Sequence, residues 1–310
     1  MEDRFKVVQN LFGDTSEQFA YFGIFDGHSG CEAAEFVQKH LHLNLAGTYL
    51  SSRSRDVTAL LREAYAATDS LLLEEMKSLR CASGTTGVTL LLSDNSIYVA
   101  NVGDCRAVLS RAGKAIELTL DHKPTSAEEK SRIESEGGYV EFDRLAGHLS
   151  VSRAFGGFDQ STVQKLRGLS SFPDTKKFYI TDEDEFLIAA CDGLWDVIDS
   201  QRAVRFVSDC LKKSPDVSIA ADKLVDEALR KYSEDNITVI IIGLERIDPV
   251  SGKKTIVMSQ SSKAKSWEHG TSATPPSLSR SSTEESMRPR PRLALSGIHK
   301  LAEALKRAQD

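Results

Sequence analysis

The sequence predicts an α+β fold in which antiparallel sheets are flanked by helices. Apolar stretches with strand character occur in blocks, and pairs of segments with helical spacing separate these blocks. The regular strand-helix alternation that is typical of a parallel sheet is missing. Within a block, short turns join neighbouring strands, which favours antiparallel pairing.

The first half of the chain shows a strand, two helices and two hairpins. The spacing of apolar residues over 56–79 is that of a long amphipathic helix. The hairpins are expected to turn at Asp94-Asn95 and at Ala112-Gly113. In order, the predicted elements are a strand at 20–25, helices at 31–48 and 56–79, strands within 83–94 and 95–103, and a hairpin over 107–119.

The second half opens with a short helix over 126–138. Ser126 with Glu129 three residues later forms a capping-box pattern, and Gly137-Gly138 ends the helix. The remaining predictions are a strand and turn at 147–155, a strand at 185–193, helices at 200–213 and 218–232, and a buried strand at 235–244.

Charge divides the chain unevenly. Its 310 residues carry a net charge of −6, which indicates no broad attraction to nucleic acid or membranes. Residues 251–310 hold 11 Lys/Arg and 5 Asp/Glu, so the excess of acidic residues lies in the part of the chain before residue 251. We therefore place one folded domain at 1–247 and a serine-rich, basic, disordered tail at 248–310, which ends in a possible short amphipathic helix from 293.

The five cysteines are odd in number and form no C-x-x-C pair. Reduced, buried thiols are therefore expected, which favours the cytoplasm or the nucleus over an oxidising compartment. Cys105 and Cys191 are interpreted as core thiols rather than nucleophiles. No apolar stretch reaches the roughly 18 residues of a membrane span, and MEDRFKVV is not a secretory signal.

Three buried strands have an acid at one end. Asp26-Gly27 and Asp192-Gly193 each follow a strand, and Asp235 precedes one. An Asp-Gly pair taken singly is most often just a turn. Three acids converging on rigid elements instead suit a hard cation such as Mg²⁺ or Mn²⁺, which prefers oxygen ligands. With two such ions, a bound water becomes a nucleophile at neutral pH.

At these residues the chain resembles the metal-dependent serine/threonine protein phosphatases of type 2C. The resemblance covers about residues 1–245, and its motifs follow the order of the family. They are FGIFDGHSG (22–30), SGTTG (83–87), YVANVGDCRAVL (98–109), LTLDHKP (118–124), RIESEGGYV (132–140), LAGHLSVSRAFG (145–156), FLIAACDGLWDV (186–197) and SEDNITVII (233–241).

The resemblance implies a four-layer α-β-β-α sandwich with metals between two antiparallel sheets. It implies that Asp26 bridges two ions and that His28 is the general acid for the leaving Ser or Thr oxygen, a role that suits a pKa near 6.5. The other implied metal-linked residues are Glu2, Asp3, Gly27, Asp192, Asp196 and Asp235.

Two departures from the family pattern stand out. The family has a strand and a phosphate-gripping arginine just before its M-E-D segment, whereas this sequence begins at Met1. A fragment, an alternative start and a misplaced gene start all stay open, and Glu2 is expected on a frayed terminus. The family usually has an Asp where Gly157 stands, which puts a third metal site in doubt; Asp159 lies two residues on.

The resulting hypothesis is Mg²⁺/Mn²⁺-dependent hydrolysis of phosphoserine and phosphothreonine in phosphoproteins by a monomer. The alternative is a catalytically weak relative with a regulatory or binding role, motivated by the two departures. No nucleic-acid partner is expected, and the SRSSTEESMRPRPR segment of the tail is a candidate for binding another partner. Substrate identity and pathway are not readable from the sequence.

Overall fold

A computed structural model describes residues 1–13, 18–52, 54–159, 164–247 and 254–263, with backbone alone at 245–247 and 254–263. The helices are α1 Glu32–Ser51, α2 Val57–Leu79, α3 Ala127–Ser135, α4 Asp192–Trp195, α5 Ser200–Lys213 and α6 Val217–Arg230.

The strands of the first half are β1 Arg4–Val8, β2 Ala20–Phe25, β3 Gly27–His28, β4 Gly84–Thr85, β5 Gly87–Leu92, β6 Ser96–Val102, β7 Arg106–Arg111 and β8 Lys114–Glu117. Those of the second half are β9 Val140–Glu141, β10 Arg144–Leu145, β11 Phe155–Gly156, β12 Phe158–Asp159, β13 Gln164–Lys165, β14 Asp174–Tyr179, β15 Asp184–Ala190, β16 Ile237–Ile247 and β17 Lys254–Lys263.

Two five-stranded antiparallel sheets organise the domain. The first has the order β1-β2-β5-β6-β14 and the second the order β17-β16-β15-β7-β8. Helices and antiparallel sheets are therefore confirmed as the fold class. The strand predictions missed β1 and β14, which are the two edges of the first sheet.

Strand β2 shows how the layers pack. Phe22 and Ile24 point into an apolar cluster that contains Leu109, Leu187 and other residues of the second sheet. Tyr21 and Phe25 point the other way, into a cluster with residues of α1 and α2. This period-two division places the inner face of the sheet against its partner and the outer face against helices.

The second sheet is covered in the same way. Phe186, Ile188 and Ala190 of β15 share a buried cluster with residues of α4, α5 and α6. Leu187 and Ala189 instead join the core between the sheets. Burial of a side chain as large as that of Phe186, Leu187 or Ile188 stabilises the fold by roughly 1.5–3 kcal/mol.

Local signals set several element ends. The carboxylate of Asp56 accepts from the amides of Thr58 and Ala59 at the start of α2. Ala112 and Gly113 have φ values of 47° and 74°, as a tight hairpin turn between β7 and β8 requires. Both hairpin turns and the helix starts at Asp56 and Ser126 lie where the sequence predicted them.

Two local predictions need correction. Ser126 does cap α3 by accepting from the amide of Glu129 at 3.3 Å, but the Glu129 carboxylate bonds to Arg132, Arg153 and Ser152 instead of completing the capping box. The segment 147–155, predicted as a strand and turn, has only isolated bridges before β11 at Phe155.

The predicted domain boundary at 247 and the tail from 248 remain predictions. Lys254–Lys263, within that tail, forms β17 and pairs with β16. Thr255, Ile256 and Val257 are β-branched, so this stretch has the strand propensity that the rest of the tail lacks. The candidate C-terminal helix lies outside the described residues, and all described residues belong to one compact unit, Met1–Lys265. Among the residues that the structure describes, no helix is long and apolar enough to cross a membrane.

Candidate active site

Acids from both sheets converge on one cavity of about 250 Å³, which we call the acid cavity. Asp26 follows β2 of the first sheet, while Asp192 and Asp235 lie at the ends of β15 and β16 in the second. Glu2, Asp26, Gly27, His28, Asp192 and Asp235, all predicted as site residues, line this cavity. The structure therefore brings together side chains that are up to 233 positions apart in the chain.

Two sets of ligand atoms in this region are close enough to share a cation. Carboxylate oxygens of Asp26, Asp104 and Asp192 lie within 4.8 Å of one another. Asp3, Asp26 and the Cys191 sulfur form a second set with the same limit. Asp26 belongs to both sets, and only the set with Asp104 and Asp192 consists of carboxylates alone.

The carboxylates oppose one another's ionisation. Burial raises the pKa of Asp26 well above its ordinary value, and the charges of Asp3 and Asp192 raise it further. Burial, followed by Asp104 and Asp235, raises the pKa of Asp192 to about 7. The Oδ1 atom of Asp192 is buried without a hydrogen-bond partner. This donor set fits a hard divalent cation, which would satisfy that oxygen and relieve the repulsion.

Glu2 is held firmly, contrary to the expectation of a frayed terminus. Its backbone amide donates to Oδ1 of Asn236 at 2.7 Å, and its Oε1 accepts from the amide of Gly30 at 3.1 Å. A Cβ on Gly27 would lie 2.8 Å from the Glu2 carbonyl oxygen, so glycine allows the close approach of the two segments. These tertiary contacts fix a residue that local sequence left free.

Asp3 lies deeper than Glu2. It is 3% exposed, and its Oδ2 accepts from the Thr238 hydroxyl at 2.7 Å. Burial raises its pKa, while hydrogen bonds from Thr238, Cys191 and Asp26 act in the opposite direction. Asp3 therefore stands behind Asp26 and connects the N-terminal segment to β16.

His28 closes one side of the cavity. Strand β3, which contains it, pairs with β4, and a Cβ on Gly84 of β4 would overlap the imidazole Nε2 atom. This Nε2 is buried without a hydrogen-bond partner. Burial, and then the charge of Lys165, lowers the pKa of His28 to about 4, below the 6.5 assumed from sequence.

Asp196 and Gly157 lie apart from the cavity lining. Asp196 is at the end of α4, and its amide donates to the Asp192 carbonyl at 2.9 Å. Gly157 and Asp159 line a neighbouring cavity. Gly157 has a φ of 71°, and a Cβ there would overlap Leu169. The backbone at 157 is thus suited to glycine.

Asp104 is the residue that the sequence analysis did not single out. It is 2% exposed, lines the acid cavity and forms an ion pair with Lys123. The sequence does contain a signal for it, because Asp104 directly follows the predicted strand at 95–103, which ends at Gly103. The order here is Gly-Asp, so Asp104 does not match the Asp-Gly pattern of Asp26 and Asp192.

The two buried thiols behave as predicted. Cys105 and Cys191 are both 0% exposed, and burial raises the pKa of each well above its ordinary value. A thiolate nucleophile is disfavoured at either position. All five cysteines are free.

Comparisons with known proteins show the family to which the chain belongs. A family model described as protein phosphatase 2C matches residues 1–237. "Probable protein phosphatase 2C 57" of Oryza sativa subsp. japonica is 41% identical over 254 residues, with 78% of this chain and 68% of that protein covered. "Probable protein phosphatase 2C 22" of Arabidopsis thaliana is 39% identical over 262 residues, covering 80% of this chain and 66% of that protein.

Other relatives are longer still, and the chain spans 56% of "Protein phosphatase 2C homolog 2" of Aspergillus fumigatus at 37% identity over 74% of this chain. Among solved structures, a serine-threonine phosphatase 2C from Toxoplasma gondii matches with a TM-score of 0.68 and 27% identity over 77% of this chain and 89% of that one. A C. elegans sex determining protein matches with a TM-score of 0.71 and 24% identity over 77% of this chain and 60% of that one, and supports the fold alone.

Proposed function

The chain belongs to the protein phosphatase 2C family, and from that premise we propose that it hydrolyses phosphoserine and phosphothreonine in proteins with the help of Mg²⁺ or Mn²⁺. One observation carries the proposal. Acids from both sheets line one cavity together with His28, whose imidazole Nε2 is buried without a hydrogen-bond partner. This combination suits cation binding beside a proton donor.

The chain's own oxygens would supply the ligands for two ions. Asp26, which lies with Asp104 and Asp192 in a set of carboxylates, would be a ligand of both. The Gly27 carbonyl, Glu2, Asp192 and Asp235 are assigned the remaining places, with Asp3 orienting water from behind. When bound, such ions lower the pKa of water to give a nucleophile at neutral pH and offset phosphoryl charge. A third ion is not part of the proposal, because Gly157 offers no carboxylate.

His28 is assigned the transfer of a proton to the leaving serine or threonine oxygen. An alkoxide is a poor leaving group, so protonation at this oxygen lowers the barrier. The imidazole is neutral at pH 7 in the free site, because its pKa is about 4. A phosphate dianion beside it favours the imidazolium by charge attraction, so bound substrate raises the pKa of His28.

Arg4 is not assigned to the substrate phosphate. Its guanidinium donates to the Met1 and Asp3 carbonyls and to the Glu35 carboxylate at 2.7 Å. These bonds fix Arg4 between β1 and α1. In the proposed mechanism the cations therefore meet most of the phosphoryl charge.

The alternative of a catalytically weak regulatory relative is not favoured. A relative that no longer needs catalysis would be expected to lose some of the acids or the imidazole. In this chain Asp26, His28, Asp192 and Asp235 are all present and line one cavity. Loss of function would leave no physical reason to keep mutually repelling buried acids together.

Activity on a phosphothreonine peptide tests the proposal. We expect turnover with Mn²⁺, none with EDTA, and none in Asp26→Ala or Asp192→Ala. Asp209→Ala is the matched control, since this Asp lies on α5 in an exposed pair with Lys212. A folded, Mn²⁺-binding wild-type protein without turnover would establish the regulatory alternative instead.

The biological setting is also proposed. Phosphoproteins are the substrates, the chain acts as a monomer, and the tail around SRSSTEESMRPRPR binds a separate partner. Five free cysteines favour the cytoplasm or nucleus. Deletion of 264–310 with no change in partners or location would count against the role of the tail.

A further inference from the structure

A second cavity, of about 300 Å³, meets the acid cavity at His28. Both cavities are lined by His28, Ser29 and Leu149. A group bound among the acids and a group in the second cavity would therefore both lie beside His28. This continuity connects the second cavity to the reaction site.

The two cavities differ in chemistry. Five carboxylate residues line the acid cavity, namely Glu2, Asp26, Asp104, Asp192 and Asp235. The second cavity has four apolar side chains in its lining, Ala82, Leu149, Phe158 and Leu166, beside the polar residues His28, Ser29, His148 and Asp159. Its volume is about twice that of an engineered apolar cavity that accepts benzene. An apolar side chain suits this environment, whereas a phosphate does not.

Backbone hydrogen bonds hold two parts of the lining of the second cavity. The Leu166 amide donates to the Gly157 carbonyl at 2.9 Å, and Phe158 pairs with Lys165 between β12 and β13. On another side, Leu145 and Leu149 exchange two backbone hydrogen bonds at 2.8 and 3.1 Å. A preformed site loses little conformational entropy on binding, so apolar contact translates into affinity.

We propose that this second cavity, defined here as the flanking pocket, binds an apolar side chain next to the phosphorylated residue of the substrate. The inference rests on the proposed phosphatase function. His28 must lie beside the oxygen that leaves with the substrate residue, so the peptide passes the imidazole. The neighbouring residue of that peptide then reaches the flanking pocket, which would make the pocket a determinant of substrate choice.

Turnover of matched phosphothreonine peptides tests the inference on the full chain with Mn²⁺. The peptides carry Ala, Leu or Gln at the residue before, or after, the phosphothreonine. Gln has nearly the size of Leu but is polar. We expect Leu at one of the two positions to raise kcat/KM about tenfold over Ala, and Gln to give no such gain.

Ala82→Leu, which fills part of the flanking pocket, should remove the preference for Leu, so that the Leu and Ala peptides are hydrolysed with kcat/KM values within about twofold of each other. Ala66→Leu, at an exposed site on α2, is the matched control and should keep the preference. If Ala82→Leu does not fold, Leu166→Phe narrows the flanking pocket from a different wall and should likewise remove the preference for Leu. The comparison of the Ala, Leu and Gln peptides with the wild-type protein tests the inference without any variant.

The outcomes separate the two proposals. Mn²⁺-dependent hydrolysis at equal rates for Ala, Leu and Gln at both positions would overturn the flanking pocket and leave the phosphatase function standing. A lack of hydrolysis for every peptide would overturn the proposed function and the inference with it.

Discussion

The ammonium of Lys165 donates hydrogen bonds to both carboxylate oxygens of Asp69, at 2.9 and 2.8 Å. The side chains are 18% and 8% exposed, so this ion pair is largely buried. Lys165 also bonds the Ala154 carbonyl, and Asp69 accepts from the Gly156 amide. The ion pair thus anchors the backbone around β11 to α2. The positive charge of Lys165 also lowers the pKa of His28.

Replacement Lys165→Met should leave a buried, unpaired carboxylate at Asp69. We expect a loss of about 3 kcal/mol in the free energy of unfolding, measured by urea denaturation. Lys212→Met, in an exposed pair with Asp209, should cost less than about 1 kcal/mol. The pKa of His28 should rise above about 4 but stay below 6.5, because burial is the larger cause of its shift. An unchanged His28 pKa by NMR would contradict the role assigned to Lys165.

Substitution Gly84→Ala should displace the His28 ring. The added Cβ would overlap Nε2 and lie 3.0 Å from the Gly157 amide nitrogen, so the imidazole must move. We expect kcat to fall about 100-fold or more, as for loss of a general acid, while Mn²⁺ affinity by calorimetry stays the same. Equal losses in Mn²⁺ affinity and kcat would mean that the whole site, not His28, had shifted.

The Glu129 carboxylate should stabilise the fold in a pH-dependent way. Burial raises its pKa, but hydrogen bonds from Arg153, Arg132 and Ser152 outweigh this and lower the pKa from 4.5 to about 2. The stabilisation is therefore complete above pH 4.5 and is lost as the pH falls toward 2. A pKa difference of one corresponds to about 1.4 kcal/mol, so the Glu129 carboxylate contributes about 3 kcal/mol to the free energy of unfolding.

Glu129→Gln should accordingly lower Tm by several degrees at pH 7, and by less at pH 3.5, where wild type has already lost part of the benefit. Thermal scans at the two pH values measure this. A penalty that is independent of pH would show that Glu129 acts through packing and neutral hydrogen bonds rather than through its charge.

Stabilisation by Mn²⁺ should grow with pH. Burial and neighbouring acids raise the pKa of Asp192 from 3.8 to about 7, so its ionisation destabilises the metal-free fold as the pH rises through this range. An ion bound to the cluster requires the ionised form, and protons compete with it below pH 7. The Mn²⁺-induced rise in Tm should thus be larger at pH 8 than at pH 6. Asp192→Asn should flatten the difference, and an equal shift at both pH values in wild type would argue against Asp192 as a ligand.

Local sequence predicted most helices and central strands because their signals are short-range. Apolar periodicity marked α2 and α5, Asp56 and Ser126 capped their helices, and a left-handed Ala112-Gly113 turn closed a hairpin. Strands β1 and β14 escaped notice, since an edge strand is defined by its neighbour as much as by its own pattern.

The site was predictable only in part. Asp26, Asp192 and Asp235 share a visible pattern, an acid at the mouth of an apolar strand, and the type 2C motifs placed His28 beside them. The hold on Glu2 depends on Asn236, 234 positions away, and sequence reasoning gave the opposite expectation.

By itself, the sequence determined which residues could be strands and helices, which acids were available, and which family motifs they form. Tertiary structure alone decided that Asp104 joins Asp26 and Asp192, that Lys165 lowers the pKa of His28, and that a second cavity meets the acids at His28. The reason is physical. Propensity and capping act over a few residues, whereas burial, Coulomb interactions and cavity shape depend on distances that only the packing of the two sheets sets.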